Sequence, residues 1–318
     1  MERTEGPEVF RNFLSRYGKK RVAVVTHNRA DVDALSSSYA LSKVLPHSVI
    51  CTSEEMTEGA KMLAARLSIE TKELSAIPKD EFEGIIVADT SAYTLVPQAK
   101  GWKVLGIIDH HRSDGRDMKG EFEIIEPESP SAAEIVASIV PEIGPDAAFA
   151  LCVGIIADGA RFKSARANTF RTLSRLMEIA GAEYSDLLSY AEPEPKPDAK
   201  IAVLSAMKRI EFVYAAGYVV ATTEVGSNES EAASVITEAA DVAFVAKWKD
   251  KEKETRISAR ARKSVRTPLN KVMAEVGRSM GGAGGGHAKA AGAAAKAHTG
   301  EALKKCVETF ISFAEKEA

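Results

Sequence analysis

The stretch Val104-Leu105-Gly106-Ile107-Ile108-Asp109-His110-His111 decides how the rest of the chain is read. Five apolar or small residues run straight into an acid and two adjacent histidines. A short run rich in β-branched residues reads as a strand buried on both faces. Such a strand delivers its last side chains to the carboxyl edge of a sheet, where open α/β sheets bind their ligands. Three potential metal ligands at that edge are more than an ordinary polar turn requires.

Three further stretches are built the same way. Arg21 to Thr26 reads as a buried strand that ends at His27, with Asp31 and Asp33 close behind. Gly84 to Ala88 reads as another, ending at Asp89. Residues 146–157 read as a helix that is apolar on most sides and therefore buried. It delivers Asp158 at its C-terminal end, where a carboxylate opposes the helix dipole unless a cation is present. Helices are also expected over 7–17, 33–44, 55–67, 131–140 and 168–180, with a strand over 48–52. Ser131 and Glu134 have capping-box spacing, and Gly181 stands where a helix stop is wanted. Strands that alternate with helices predict a mostly parallel α/β sheet with helices on both faces.

A chain of 318 residues favours two domains. The boundary falls in Ala191-Glu192-Pro193-Glu194-Pro195-Lys196-Pro197-Asp198, where three alternating prolines make a stiff, extended connector over 191–199. It separates a domain over 1–190 from one over 200–318. The second contains helices over 199–211, 229–240, 268–280 and 301–316 and strands near 213–223, 241–248 and 254–262. With 45% hydrophobic and 27% charged residues the composition is that of a soluble globular protein. The net charge of −3 supplies no bulk field for a polyanion, so any nucleic-acid contact is local. Cys51, Cys152 and Cys306 form neither a zinc pattern nor a disulfide framework, which fits a reducing cytoplasm. No apolar run is long enough to cross a bilayer, and the N-terminus lacks a signal-peptide core, so no membrane contact is expected.

In a parallel sheet the strand ends at His27, Asp89 and Asp109 lie side by side, and so many carboxylates cannot stay ionised together without cations. Mixed imidazole and carboxylate ligands suit divalent first-row metals and lean toward Mn²⁺, with Mg²⁺ or Co²⁺ as substitutes. One ion uses about four ligands, so the surplus implies two. Metal pairs about 3.5–4 Å apart are a common engine of phosphate-ester hydrolysis.

These clusters, in this order, resemble the DHH phosphoesterase superfamily. His27, Asp31, Asp33 and Ala34 match its first motif, with Ala30 where proline is usual. Asp89 in VADTS matches the second, Asp109-His110-His111 the name-giving third, and Asp158 in GIIADG the fourth. The resemblance implies His27, Asp31 and Asp89 on one metal and Asp33, Asp89, His110 and Asp158 on the other, with Asp89 bridging. It implies that His111 faces the substrate phosphate and that Asp109 orients or supports the site.

The C-terminal half carries its own signature. Five glycines in 281–286 precede His287, and such a loop can bring bare backbone N–H groups to an anion. GGGHAKAAG resembles the DHHA1 domain, the usual second domain of this superfamily. That resemblance implies a smaller α/β domain with a mixed sheet, facing the metal site across a cleft and holding the nucleotide part of the substrate through Gly285, Gly286 and His287. Residues 247–271 have a net charge of +7. Within them, Arg256-Ile257-Ser258-Ala259-Arg260-Ala261-Arg262 alternates and puts its even positions on one strand face. Ser258 and Arg260 match the family's phosphate-binding serine and arginine, and arginine suits bidentate phosphate contacts.

The expected activity is Mn²⁺-dependent hydrolysis of short single-stranded oligonucleotides, linear dinucleotides or 3′-phosphoadenosine 5′-phosphate (pAp), as in oligoribonuclease-type members; a homodimer is compatible with it. Few aromatics accompany the basic strand, which argues against a long base-stacking groove of the RecJ exonuclease kind. An exopolyphosphatase-like enzyme is an alternative. A non-enzymatic replisome-associated protein would have lost ligands, and none is lost here. Family II pyrophosphatases have a different second domain.

Overall fold

The computed structural model describes residues 5–52, 56–111, 115–159 and 162–317; the expected helix start at residue 55 lies outside them. The chain divides into two compact units, Met1–Glu194 and Pro195–Ala318, so the division falls among the alternating prolines.

The first unit contains helix α1 (Glu5–Tyr17), strand β1 (Val22–Val25), α2 (Val32–Lys43), β2 (Val49–Thr52), α3 (Glu58–Leu67) and β3 (Thr71–Glu73). It continues with β4 (Gly84–Ala88), β5 (Val104–Asp109), β6 (Phe122–Ile125), α4 (Ala132–Ile139), α5 (Pro145–Asp158), α6 (Ala167–Ala180) and α7 (Tyr184–Ala191). The six strands form one sheet in the order β3-β2-β1-β4-β5-β6, and every pairing is parallel. β1, β4 and β5 are adjacent and buried at every position. The strand order reverses between β1 and β4, and it is at such a switch point that open α/β sheets bind ligands.

Alternate residues of β1 feed two cores. Val22 and Val24 pack with Phe10, Leu35, Leu41 and the apolar flank of α5, while Ala23 and Val25 pack with Leu74, Phe82 and Val96 on the other side. The α-helices gather on the first face. The second is closed by 3-10 turns, Leu74–Ala76 and Lys79–Glu81 between β3 and β4 and Pro97–Ala99 between β4 and β5, rather than by α-helices. Every residue of α5 from Ala147 to Ile156 is buried, as its uniform apolarity predicts. Gly154 lets α5 close on α2, since a Cβ there would lie 2.1 Å from Ser36 Oγ. β3, β6 and α7 were not read from sequence: β3 is three polar residues, and β6 sits in a stretch rich in Gly, Lys and Glu.

The second unit contains α8 (Pro197–Lys208), β7 (Glu211–Ala215), β8 (Tyr218–Glu224), α9 (Glu229–Ile236), β9 (Val242–Lys249) and β10 (Glu254–Ala261). α10 (Leu269–Ser279), β11 (Gly284–Gly286), β12 (Ala290–Ala295) and α11 (Thr299–Glu317) complete it. α8 starts inside the expected connector, because proline is well accommodated at the first helical position. The sheet runs β11-β12-β10-β9-β8-β7 and is mixed, with β8 and β9 parallel and the other pairs antiparallel.

The glycine run differs from its expectation as an open loop. Gly284 to Gly286 form an edge strand paired with β12, and His287 and Ala290 close the hairpin through backbone hydrogen bonds. The glycines are there for close packing. A Cβ on Gly284 would lie 1.9 Å from the Met273 carbonyl oxygen of α10, whereas one on Gly285 would meet nothing within 4 Å. Gly284→Ala should therefore cost about 1–3 kcal/mol in urea unfolding. Gly285→Ala should cost well under half of that, and equal losses would refute this packing role.

Candidate metal centre

His27, Asp89 and His110 each follow a buried strand, so the parallel sheet brings them to one edge. The Asp89 carboxylate lies between the two imidazoles. Its Oδ2 is 3.4 Å from His27 Nε2 and its Oδ1 is 3.3 Å from His110 Nε2. Asp31 Oδ2 is 3.8 Å from His27 Nε2. Asp33 Oδ2 and Asp158 Oδ2 lie 3.9 and 3.2 Å from His110 Nε2. Three overlapping groups have ligand atoms within 4.8 Å of one another: His27, Asp31 and Asp89; Asp33, His110 and Asp158; and Asp89, His110 and His111.

His27, Asp31, Asp33 and His110 are each held from behind. His27 Nδ1 is 2.7 Å from the Asn28 carbonyl and His110 Nδ1 is 3.3 Å from the Ser129 carbonyl, so each Nδ1 donates and each Nε2 is left facing Asp89. Asp31 caps α2 through Oδ1, which accepts from the Ala34 amide at 3.0 Å. Both oxygens of Asp33 accept from the first turn of α4, from the amides of Ala132 at 2.7 Å and Ala133 at 2.9 Å. Ser131 caps that helix by accepting from the Glu134 amide, but the Glu134 carboxylate turns to Asn168 Nδ2 rather than completing a capping box. Asp89 has φ +65°, a left-handed conformation that costs a non-glycine residue about 1–2 kcal/mol and is typical of functional sites.

Asp109 stands apart from the three groups. It is 0% exposed; Oδ2 accepts from Ser91 Oγ at 2.7 Å, and Oδ1 takes the His111 amide at 3.1 Å and His111 Nδ1 at 2.8 Å. Asp109 thus fixes the orientation of the His111 ring through Nδ1. Sequence reading did not find Ser91, Ser129 or the Ala132 and Ala133 amides, because nothing local marks them.

The charges explain why the site wants cations. Burial works against a charge on His27, but the neighbouring Asp89 carboxylate outweighs it and raises the imidazole to about 9. The same balance raises His110 to about 9. Burial pushes Asp158 up to about 6, although His110 opposes the shift. Asp33 is raised well above its ordinary value by burial and then by Asp89 and Asp158. Burial would raise Asp89 too, but the flanking imidazoles hold it low. Its buried Oδ1 makes no hydrogen bond of proper geometry. An ionised, buried oxygen without a hydrogen bond, amid imidazole nitrogens and carboxylates, fits a divalent cation.

Protons and a divalent metal ion would therefore compete for His27 and His110. Affinity for Mn²⁺ should rise with pH up to about 9, where both imidazoles lose their protons. Loading near neutral pH should release about two protons per chain. Titration calorimetry in buffers of different ionisation enthalpy reads this directly, and uptake without proton release would contradict it.

In the second unit, Ser258 is buried on β10, opposite Gly292 of β12, which in turn lies opposite Gly285 of β11. Ser258 and Gly292 line a groove of about 520 Å³ together with Ser230, Arg256 and Gly284 and with Glu229 and Glu254. Arg260 donates to Ser230 Oγ at 2.8 Å and Ser234 Oγ at 3.3 Å, and no carboxylate pairs with it among the described residues. Arg262 instead donates to the carbonyls of Thr237, Glu238 and Ala240 beyond α9 and serves the fold. His287 sits at the β11–β12 hairpin turn.

Residues 21–155 match the DHH family, N-terminal domain, and residues 216–316 match the DHHA1 domain. An uncharacterized protein of Methanocaldococcus jannaschii is 28% identical over 95% of this chain and 96% of its own length. The crystal structure of an exopolyphosphatase-related protein from Bacteroides fragilis superposes with a TM-score of 0.77 at 15% identity, over 98% of this chain and 97% of that one. RecJ from Thermus thermophilus, solved in complex with Mn²⁺, gives 0.53 at 13% identity, over 99% of this chain and 55% of that one. Among the described residues no helix is long and apolar enough to cross a membrane.

Proposed function

The chain belongs to the DHH family and carries a DHHA1 domain, and from that premise we propose that it is a Mn²⁺-dependent phosphoesterase acting on linear dinucleotides, pAp or short single-stranded oligonucleotides. The observation that carries this reading is the Asp89 carboxylate, with one oxygen turned to His27 and the other to His110.

His27, Asp31 and Asp89 would hold one ion, and Asp33, Asp89, His110 and Asp158 the other. The bound pair would neutralise phosphoryl charge and lower the pKa of a water molecule. His111, oriented by Asp109, would donate a hydrogen bond to the scissile phosphate from Nε2. The backbone donors on Asp31 and Asp33 and the carbonyls behind His27 and His110 keep the ligands in place without rearrangement. In the second unit Ser258 and Arg260, with the bare backbone at Gly285 and Gly286 and His287 beyond it, would grip a second phosphate and its nucleoside. The groove beside Ser258 has the volume of a small-ligand site rather than that of a long strand channel.

The test is a parallel assay with Mn²⁺, Mg²⁺ and Co²⁺ on a linear dinucleotide, pAp, a short oligonucleotide, a long single strand and polyphosphate. The dinucleotide, pAp or short oligonucleotide should give the highest kcat/KM, with Mn²⁺ the best metal. Faster turnover of polyphosphate or of the long strand would replace this reading with an exopolyphosphatase-like or RecJ-like one. Metal-independent turnover would remove it.

A further inference from the structure

The second unit leaves one edge of its sheet open. β7 is the terminal strand, paired only with β8, and four of its five residues are exposed. Natural edge strands are normally blunted by proline, lysine or a bulge. β7 has none of these, and Glu211 is its single charged residue.

Large apolar side chains cluster there. The outward stripe of α8 presents Ile201, Leu204 and Met207, Ile210 precedes β7, and β7 itself adds Phe212 and Tyr214; these six are 38% to 76% exposed. They share a side of the molecule. Phe212 and Tyr214 lie opposite Ala221 and Val219 of β8, on the sheet face that packs against α8 and α9. α8 is tied to that face by Thr223 Oγ1, which donates to the Ala206 carbonyl at 2.9 Å. The six side chains expose roughly 700 Å² together, more than the largest apolar patch of a typical monomer and close to the ~800 Å² each partner buries in a standard interface.

We propose that this face is the seam of a homodimer, in which β7 pairs antiparallel with β7 of a second copy and the two sheets join into one. The hairpin fixes the register. Ala216 and Gly217 form a two-residue turn with φ +50° and +81°, which makes Ala215 and Tyr218 its closing hydrogen-bonded pair. Glu211, Val213 and Ala215 therefore turn their peptide groups to β8, while Phe212 and Tyr214 turn theirs outward. A two-fold axis through Val213, the middle of the strand, lets every residue of β7 pair. Phe212 then exchanges backbone hydrogen bonds with Tyr214 of the second copy, an aromatic cross-strand pair. Glu211 falls opposite Ala215, whereas an axis through Glu211 would put two carboxylates face to face. An interface of this kind is isologous, so a second copy of this chain is the partner that matches it at every position.

Sedimentation of the full chain should give twice the 34.1 kDa monomer mass. Phe212→Glu with Tyr214→Glu should bring it to the monomer with an unchanged circular dichroism spectrum, because the register sets each new carboxylate opposite another across the seam and both side chains are exposed. A second variant tests the axis independently. Val213→Cys places two thiols at a non-hydrogen-bonded cross-strand pair, within disulfide reach, while the native cysteines are all buried. Mild oxidation should convert Val213→Cys, but not Glu211→Cys, to a disulfide-linked dimer. A monomeric wild-type chain, a dimer that survives the double substitution, or Val213→Cys chains that stay unlinked would each overturn the seam.

Discussion

Asp89→Asn should lower kcat/KM by about 10³-fold or more, about 4 kcal/mol of transition-state stabilisation, on every phosphate ester the protein cleaves. The substitution changes almost no volume at a buried position, so the fold should survive it. It removes the charge shared by both candidate ion sites and leaves an amide in place of one of the two carboxylate oxygens. Mn²⁺ content should fall from about two ions per chain to one or less, because each ion loses its common ligand. The loss should be uniform across dinucleotide, pAp and a simple monoester, since the reacting phosphate is common to all. His110→Ala should behave alike through the second ion alone. A variant that keeps both ions and a rate within about tenfold of wild type would sink the bridging role and the two-metal reading with it.

The site was legible in the sequence where local chemistry marks it. Asp89 and Asp109 end apolar runs, so their position at a sheet edge follows from strand periodicity alone. Asp158 was legible because an acid at the end of a buried helix is unfavourable without a cation. What could not be read depends on approach between distant segments. The amides of Ala132 and Ala133 receive Asp33 across about a hundred residues of sequence, and no side-chain type announces a backbone donor. The Ser91 hydroxyl behind Asp109 is hidden for the same reason. The glycine run shows the limit of composition: it reads equally as a loop that cradles an anion or as a strand under a close helix. Only the Met273 carbonyl against Gly284 decides for the strand. β3 and β6 went unread because they lie at the two edges of the sheet, where short, half-polar strands suffice.

Arg260→Ala separates grip from chemistry. Its guanidinium rests on two serine hydroxyls, which leave the positive charge unneutralised and ready for an anion. Ser258 and Arg260 lie two residues apart on β10 and so share a strand face, the arrangement that would seat one phosphate between a hydroxyl and a guanidinium. Because Arg260 is only half-buried, losing it should cost about 1.5–3 kcal/mol rather than the larger penalty of a fully desolvated pair. On pAp or a linear dinucleotide that is a fall in kcat/KM of about 10- to 150-fold. On p-nitrophenyl phosphate, which has no second phosphate to hold, the fall should stay within about twofold, and Mn²⁺ content should not change. Arg260→Lys keeps the charge but not the fork, so it should recover only part of the loss. Equal losses on both substrates would place Arg260 at the reacting phosphate or in the support of the fold, and the assignment of a separate non-scissile phosphate to the second unit would fail.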